Sequence, residues 1–406
     1  MRRPSGGTGN GRAAPESRLN RYDRMEWAGA FGDLGTLIPF VAGYIGVLGM
    51  DPLGILLPLG AAMLVCGLYY RTPIPVQPMK ATAAIAITQA AHGIVVTPEA
   101  VVAASLVTGL AWLALGLSGL AGSLANRMPR SVMTGVVLGL GAGFMLEGLR
   151  MMASHLWLAL AALAGTLALR NNRRVPAMAV LLGAGVACGA ALDPGALETL
   201  AAARFTFKLP AFGLAGLDWD ALVVGTLFLA LPQLPLTLGN AVIAIRDENN
   251  RLFPHRPVTV KGIAVSTGLM NLSSALAGGM PMCHGAGGMA GHVAFGARTG
   301  GALVILGGLV IVLGLGFSES VEALFDLFPP AILGVILLIA GARLAMVASQ
   351  VGPDRRDQAV VATTALLALW NVGAACLLGL VIATLLGRRR PRANPPDSAV
   401  APGEDD

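Results

Sequence analysis

Two stretches of this 406-residue chain hold nearly all of its chemically useful side chains, and each breaks an apolar run. The first is Thr72-Pro-Ile-Pro-Val-Gln-Pro-Met-Lys80. The second is Gly279-Met-Pro-Met-Cys-His-Gly-Ala-Gly-Gly-Met-Ala-Gly-His292. Pro75 and Pro78 disfavour helix before them, whereas Met79 to Ile87 returns to helix formers. Each stretch therefore reads as an extended lead-in to a helix that starts inside the apolar layer. Broken backbone at that depth must line a cavity or be covered by protein. A helix start offers free N–H groups and partial positive charge, which suits an anion. Lys80 is the one lysine expected within the membrane and a candidate counter-charge; pairing with Asp33 for structure is the other reading. Gln77, Met79, Cys283, His284 and Gly285 complete the substrate-binding candidates at the breaks. Gly285, Gly287 and Gly288 would let a ligand approach the backbone.

Two further segments carry polar groups where lipid-soluble ones are expected. Asp33 is an isolated acid within Phe31-Gly-Asp-Leu-Gly-Thr36 and a candidate proton carrier. Gln233, Thr237 and Asn240 fall at i, i+4 and i+7, on one helix face, and line a site or glue helices together. His292 reads as structural, and Glu147 as a surface partner of Arg150. The glycines at 135–143 read as a close-packing face. Cys283 and His284 are too few for a metal site. They also lack the orienting third group that an intramembrane enzyme would need. We expect no cofactor, no metal and no catalysis.

What must position these residues is a membrane-embedded helical scaffold. The chain is 55% hydrophobic and 12% charged, with a mean hydropathy of +0.71, against about a quarter charged in soluble proteins. Apolar runs fall at about 27–48, 53–70, 76–92, 99–122, 131–149, 153–169, 174–192, 219–246, 258–278, 284–295, 300–317, 329–347, 357–371 and 373–387. The third and tenth are too short or broken to cross alone. With the N-terminus in the cytoplasm, 24 of the 28 Lys and Arg residues fall on the cytoplasmic side, as the positive-inside rule requires. The net charge of +6 is thereby explained by topology, with no nucleic acid as partner. The four cysteines show no disulfide or redox spacing.

The expected class is an all-α polytopic membrane protein of fourteen segments in a 7+7 inverted repeat. Its parts are a disordered cytoplasmic tail (1–26), a first repeat (27–192), a linker (193–218), a second repeat (219–387) and a short cytoplasmic tail (388–406). Trp27 and Trp219 open corresponding helices at opposite interfaces. Two interrupted segments in matching positions are the sequence pointer to a carrier's binding site.

Phe31-Gly-Asp-Leu-Gly-Thr-Leu-Ile-Pro39, Pro73-Ile-Pro-Val-Gln-Pro-Met-Lys80, Pro235-Leu-Thr-Leu-Gly-Asn240 and Met280-Pro-Met-Cys-His-Gly-Ala-Gly-Gly288 resemble the signatures of the molybdate transporter family, a branch of the sulfate permease superfamily. Phe295-Gly-Ala-Arg-Thr-Gly300 resembles the turn after the tenth span of sulfate permeases. The resemblance covers about 27–387. It implies a core and a gate domain, with substrate held between the third and tenth helices, and it suggests a homodimer through the gate domain. The regulatory domain common in sulfate permeases has no counterpart in the residues after 387. The resemblance alone favours molybdate over sulfate or tungstate. The expected function is uptake of that oxyanion across the inner or plasma membrane, coupled to protons through Asp33. A nucleobase or other small-anion symporter of the same fold is the alternative. Gln233 and His284 stand where nucleobase carriers favour carboxylates, which argues against it.

Overall fold

The computed structural model describes residues 19–88, 95–170, 172, 174–348, 354–370 and 372–386. The expected tail at 388–406, most of that at 1–26 and the far end of the third segment lie outside them. So does residue 371, where the last two segments meet.

Helix starts follow from local chemistry. In chain order the first half contains α1 (Arg24–Ala30), α2 (Leu34–Gly46), α3 (Pro52–Tyr70), β1 (Gln77–Pro78) and α4 (Lys80–Thr88). It continues with α5 (Pro98–Leu117), α6 (Leu120–Arg127), α7 (Arg130–Met152), α8 (Leu156–Leu169), α9 (Ala177–Leu192) and α10 (Pro194–Ala201). Asp51, Thr97 and Asp193 each cap a helix whose first residue is proline, the pairing expected where a carboxylate or hydroxyl meets N–H groups that lack a partner. The second half begins with α11, a continuous helical run Trp219–Leu252, capped by Asp218. Then come α12 (Val260–Leu276), β2 (Met282–Cys283), α13 (Ala286–Ala294), α14 (Gly301–Phe317), α15 (Val321–Asp326), α16 (Pro330–Ala348), α17 (Arg355–Trp370) and α18 (Val372–Leu386). Each apolar run of the sequence thus contains helix. Among the described residues five helices are long and apolar enough to cross a membrane, or seven if each bent pair is one span. α1 and α2 form one such pair, bent by 42° at the Asp33 turn.

α11 is not a uniform α-helix. Gly225–Ala230 and Thr237–Ala244 are π-helical, on either side of Pro232 and Pro235. Proline removes a backbone donor and crowds the preceding turn, and a wider π-turn absorbs that fault. The prolines were visible in the sequence, whereas the register change was not.

The helices pack in crossed pairs. α3 lies on α14, α5 on α12, and α7 on α16. The α7–α16 contact is set by backbone against backbone: a Cβ on Gly141 would meet the Gly341 oxygen at 2.9 Å, and one on Gly148 the Gly334 oxygen at 2.7 Å. The same small residues face the partner helix from the other side. Where lipid offers no hydrophobic drive between helices, such close approach is the main source of cohesion. Gly135 and Gly139 likewise admit α17, while Gly143 meets only the tip of Leu369. Glu147 and Arg150 form an exposed pair at 3.2 Å, and Trp27 and Trp219 are both exposed.

Candidate functional site

The two breaks meet. β1 and β2 pair antiparallel, Gln77 opposite Cys283 and Pro78 opposite Met282. The Met79 N–H donates to the Pro281 oxygen at 2.9 Å. Each strand delivers the chain directly into a half-length helix, α4 or α13, so both helix starts lie beside the strand pair.

The second strand is held by residues that the sequence reading missed. Asn271 on α12 accepts from the Met282 N–H at 2.8 Å and donates to the Met282 oxygen at 2.7 Å. Ser274 and Ser105 donate to the carbonyls of Met280 and Gly279. These bonds satisfy backbone that no water could reach. The spacing of Thr267, Asn271 and Ser274 on one face of α12 was the available signal.

Neither half-helix is capped from its own chain neighbours. Gln233 reaches across from α11, and its carbonyl oxygen accepts from the N–H groups of Ala81 (3.0 Å) and Thr82 (3.3 Å). Its amide nitrogen donates to Thr237. The start of α4 is therefore occupied, contrary to the expectation that its first N–H groups after Pro78 stand free. At α13 the preceding residue is Gly285, and no side chain caps the first turn. The Ala286 and Gly287 N–H groups are the donors that remain for an anion.

Gln77 is the hub. With its amide oriented to satisfy its neighbours, Nε2 donates to Asp33 Oδ2 at 2.9 Å and Oε1 accepts from the Gly285 N–H at 3.1 Å. Asp33 also accepts from the Thr36 hydroxyl and is buried at the α1–α2 turn. A Cβ on Gly288 would lie 2.7 Å from Asp33 Oδ2, so the acid rests against the first turn of α13.

Lys80 does not ion-pair with Asp33: no salt bridge joins them, although they lie within electrostatic reach. Its Nζ is buried without a hydrogen-bond acceptor and sits 4.0 Å from the centre of the Phe144 ring. A ring face offsets part of an ammonium's desolvation, by about 2 kcal/mol when water is excluded. Phe144 comes from α7 and also covers α13, for a Cβ on Gly287 would collide with its ring edge. Asn240 approaches from α11, with its Oδ1 buried and unpartnered. Met79 and Cys283 pack together with Ala241 as an apolar floor.

His284 is oriented differently from the expectation. Its Nδ1 donates to the Pro75 oxygen at 2.8 Å, and Nε2 meets the Ser266 hydroxyl at 2.8 Å, which in turn accepts from Tyr70. Both ring nitrogens are engaged, so His284 ties the two breaks together and has no donor left for a ligand. His292 donates from Nδ1 to the Gly29 oxygen at 2.8 Å. Glu26, also missed, is fully buried and accepts from the N–H groups of Arg298 and Thr299, both at 2.9 Å. It fixes the Gly-Ala-Arg-Thr turn that follows α13.

The site thus holds one unpaired ammonium and an open helix start beside a buried acid, over an apolar floor. This combination suits a compact anion. Comparison with known proteins agrees. The family model described as "Molybdate transporter of MFS superfamily" matches residues 25–144 and 225–344, one stretch in each half. Molybdate transporter 2 of Arabidopsis thaliana is 31% identical over 89% of this chain and 86% of its own length. The transmembrane domain of the cyanobacterial bicarbonate transporter BicA shares the fold, with a TM-score of 0.54, 16% identity, and coverage of 89% of this chain and 97% of that one. The murine Slc26a9 anion transporter in its inward-facing state gives a TM-score of 0.61 at 12% identity, covering 92% of this chain and 69% of that one. The fold is therefore that of these carriers, whatever superfamily the family description names.

Proposed function

The chain belongs to the molybdate transporter family, and from that membership and the site we propose that it is a secondary active carrier importing molybdate. Tungstate and sulfate, tetrahedral dianions of the same charge, are the expected competitors. The observation that carries the reading is the buried Lys80 ammonium with no acceptor, beside the uncapped start of α13. The anion replaces the Phe144 ring as the partner of Lys80, takes the Ala286 and Gly287 N–H groups, and receives the Asn240 amide. Gln77 and Gln233 hold the two helix starts in place, and Thr237 orients Gln233. Gly285 leaves room for Gln77, while Met79 and Cys283 form the floor and His284 keeps the breaks in register.

Asp33 is the proposed proton carrier. Uptake of a dianion against a negative-inside potential costs about 2.3 kcal/mol per charge per 100 mV, which co-transported protons offset. Asp33 touches Gln77, which touches Gly285 at the mouth of α13, so its protonation state is felt at the anion site through one side chain.

The proposed architecture is fourteen segments in an inverted repeat with a core and a gate domain, N- and C-termini cytoplasmic, in the inner or plasma membrane, paired as a homodimer. Two features support the repeat. The strand pair joins the third and tenth segments, which correspond. The α3–α14 contact maps onto the α12–α5 contact when the halves are exchanged, and the α7–α16 contact maps onto itself. Phe144 then belongs to the gate and closes over the core.

The test is a melting screen of the purified protein with molybdate, tungstate, sulfate, phosphate and uracil. Stabilisation by molybdate and tungstate at low concentration supports the reading. Stabilisation by uracil alone would replace the substrate and keep the fold.

A further inference from the structure

A second positively charged cavity, of about 360 Å³, opens at the opposite end of α13. Ala294 and Phe295 line it from the core side, and Arg343 and Met346 from the end of α16. Arg170, Asn172 and Ala177 line it from the α8–α9 turn. Its walls contain two arginines and no acid. Among the described residues neither arginine has an ion pair.

A third positive feature converges there. α9 begins at Ala177 after Pro176, and no side chain caps its start. Asn172 does not serve that role, since its Oδ1 accepts from the Arg174 and Val175 N–H groups and shapes the turn instead. The start of this sixteen-residue helix therefore places its partial positive charge beside the cavity, whose wall includes Ala177. Two guanidiniums and an open helix start around one concavity make a site for a tetrahedral oxyanion.

We propose that this cavity, built by Arg170, Arg343 and the start of α9, is a second oxyanion site at the cytoplasmic mouth of the carrier. It rests on the proposed function for the identity of the anion and for which end of the carrier is cytoplasmic. The nine residues of α13 separate it from the first site, about 13 Å at 1.5 Å per residue. An anion released at one end of α13 is thus received at the other, where the negative end of the helix would otherwise repel it. The same chemistry would accept the phosphate of an anionic lipid, and the experiment separates the two sources.

Full-length protein carrying Cys188→Ser and Ala342→Cys, which places a thiol in the cavity wall, is reconstituted in phosphatidylcholine vesicles. Labelling by an anionic methanethiosulfonate, corrected for intrinsic reactivity, is expected to be at least about tenfold faster than by a cationic one. Added molybdate or tungstate slows it if the site takes the free oxyanion. Phosphatidylglycerol in the vesicles slows it without added oxyanion if the site takes a lipid phosphate. Arg170→Gln with Arg343→Gln removes the charge preference, and the corresponding lysine pair restores it. Equal labelling by the two reagents with both arginines present, or protection by neither oxyanion nor lipid, overturns the proposal. Failure of the transport reading would show separately, as molybdate stabilisation that Lys80→Gln leaves unchanged in the melting screen, while the charge preference at Ala342→Cys stands.

Discussion

Gly285→Ala tests the role of Gln77, because its main clash is with that side chain and only a lesser one, at 3.3 Å, is with Asn240. The backbone at Gly285 has φ −70° and ψ 130°, which alanine adopts freely, so no conformational cost arises. The added Cβ, however, would fall on the Gln77 amide oxygen that accepts from the Gly285 N–H, and would lie 2.9 Å from Cδ. Gln77 must leave its position. It then loses its bonds to Asp33 and to the Gly285 N–H. A hydrogen bond to a charged group contributes about 1.5–3 kcal/mol and a neutral one about 1. The loss is therefore about 2–4 kcal/mol of core stability. Gln77→Ala forfeits the same two bonds without the clash, so the double variant should cost about as much as either single one. Equilibrium unfolding in mixed micelles reads all three. Additive costs, within about 0.5 kcal/mol, would show that the two residues do not act through each other and would refute the hub assignment. Gly308→Ala, where a Cβ meets nothing within 4 Å, serves as the control and should be neutral or stabilising by about 0.5–1 kcal/mol.

Other expectations follow from the same geometry. Lys80→Gln removes a buried ammonium that has no acceptor among the described residues. At 4 Å and an effective dielectric near 20 a unit pair is worth about 4 kcal/mol before desolvation, so molybdate affinity should fall at least about 100-fold by titration calorimetry, with folding retained. Asp33→Asn should abolish accumulation driven by a proton gradient while sparing molybdate counterflow in vesicles; accumulation that persists would remove Asp33 from coupling. Asn271→Leu keeps the side-chain size but strands the Met282 N–H and carbonyl, costing about 2–5 kcal/mol, read as a lower unfolding midpoint without a change in the pH profile of uptake. Phe144→Leu takes away the ring under the ammonium and should raise molybdate affinity severalfold in the same calorimetric assay, since the anion no longer competes with it.

Depth and breakage were legible in the sequence, and partnership was not. Pro75, Pro78 and Pro281 announce interrupted helices because proline has no N–H to give, wherever it lies. Lys80 and Asp33 stand out because charge inside an apolar run is costly in any context. The polar stripe of Gln233, Thr237 and Asn240 follows from ordinary helix spacing; Gln233 caps the start of α4 and donates to Thr237, while Asn240 approaches Gly285. Which groups satisfy which depends on the crossing of distant helices, and no periodicity encodes that. Gln233 on the start of α4, Phe144 under Lys80, Glu26 on the turn at Arg298 and Thr299, and Asn271 on β2 are all contacts of this kind. His284 shows the converse. Its position beside Cys283 was evident, but strand alternation sends its ring toward Tyr70, Ser266 and Pro75, where it is satisfied by protein.

The central claim is that an oxyanion sits between the uncapped start of α13 and the Lys80 ammonium. The most direct measurement is the position of tungsten in a structure determined with tungstate bound, located by its anomalous scattering. The account predicts a peak within contact distance of Lys80 Nζ and the Ala286 and Gly287 N–H groups, with Phe144 displaced, and loss of that peak in Lys80→Gln. A fully occupied peak elsewhere in the protein, with Lys80 still resting on Phe144, would contradict it.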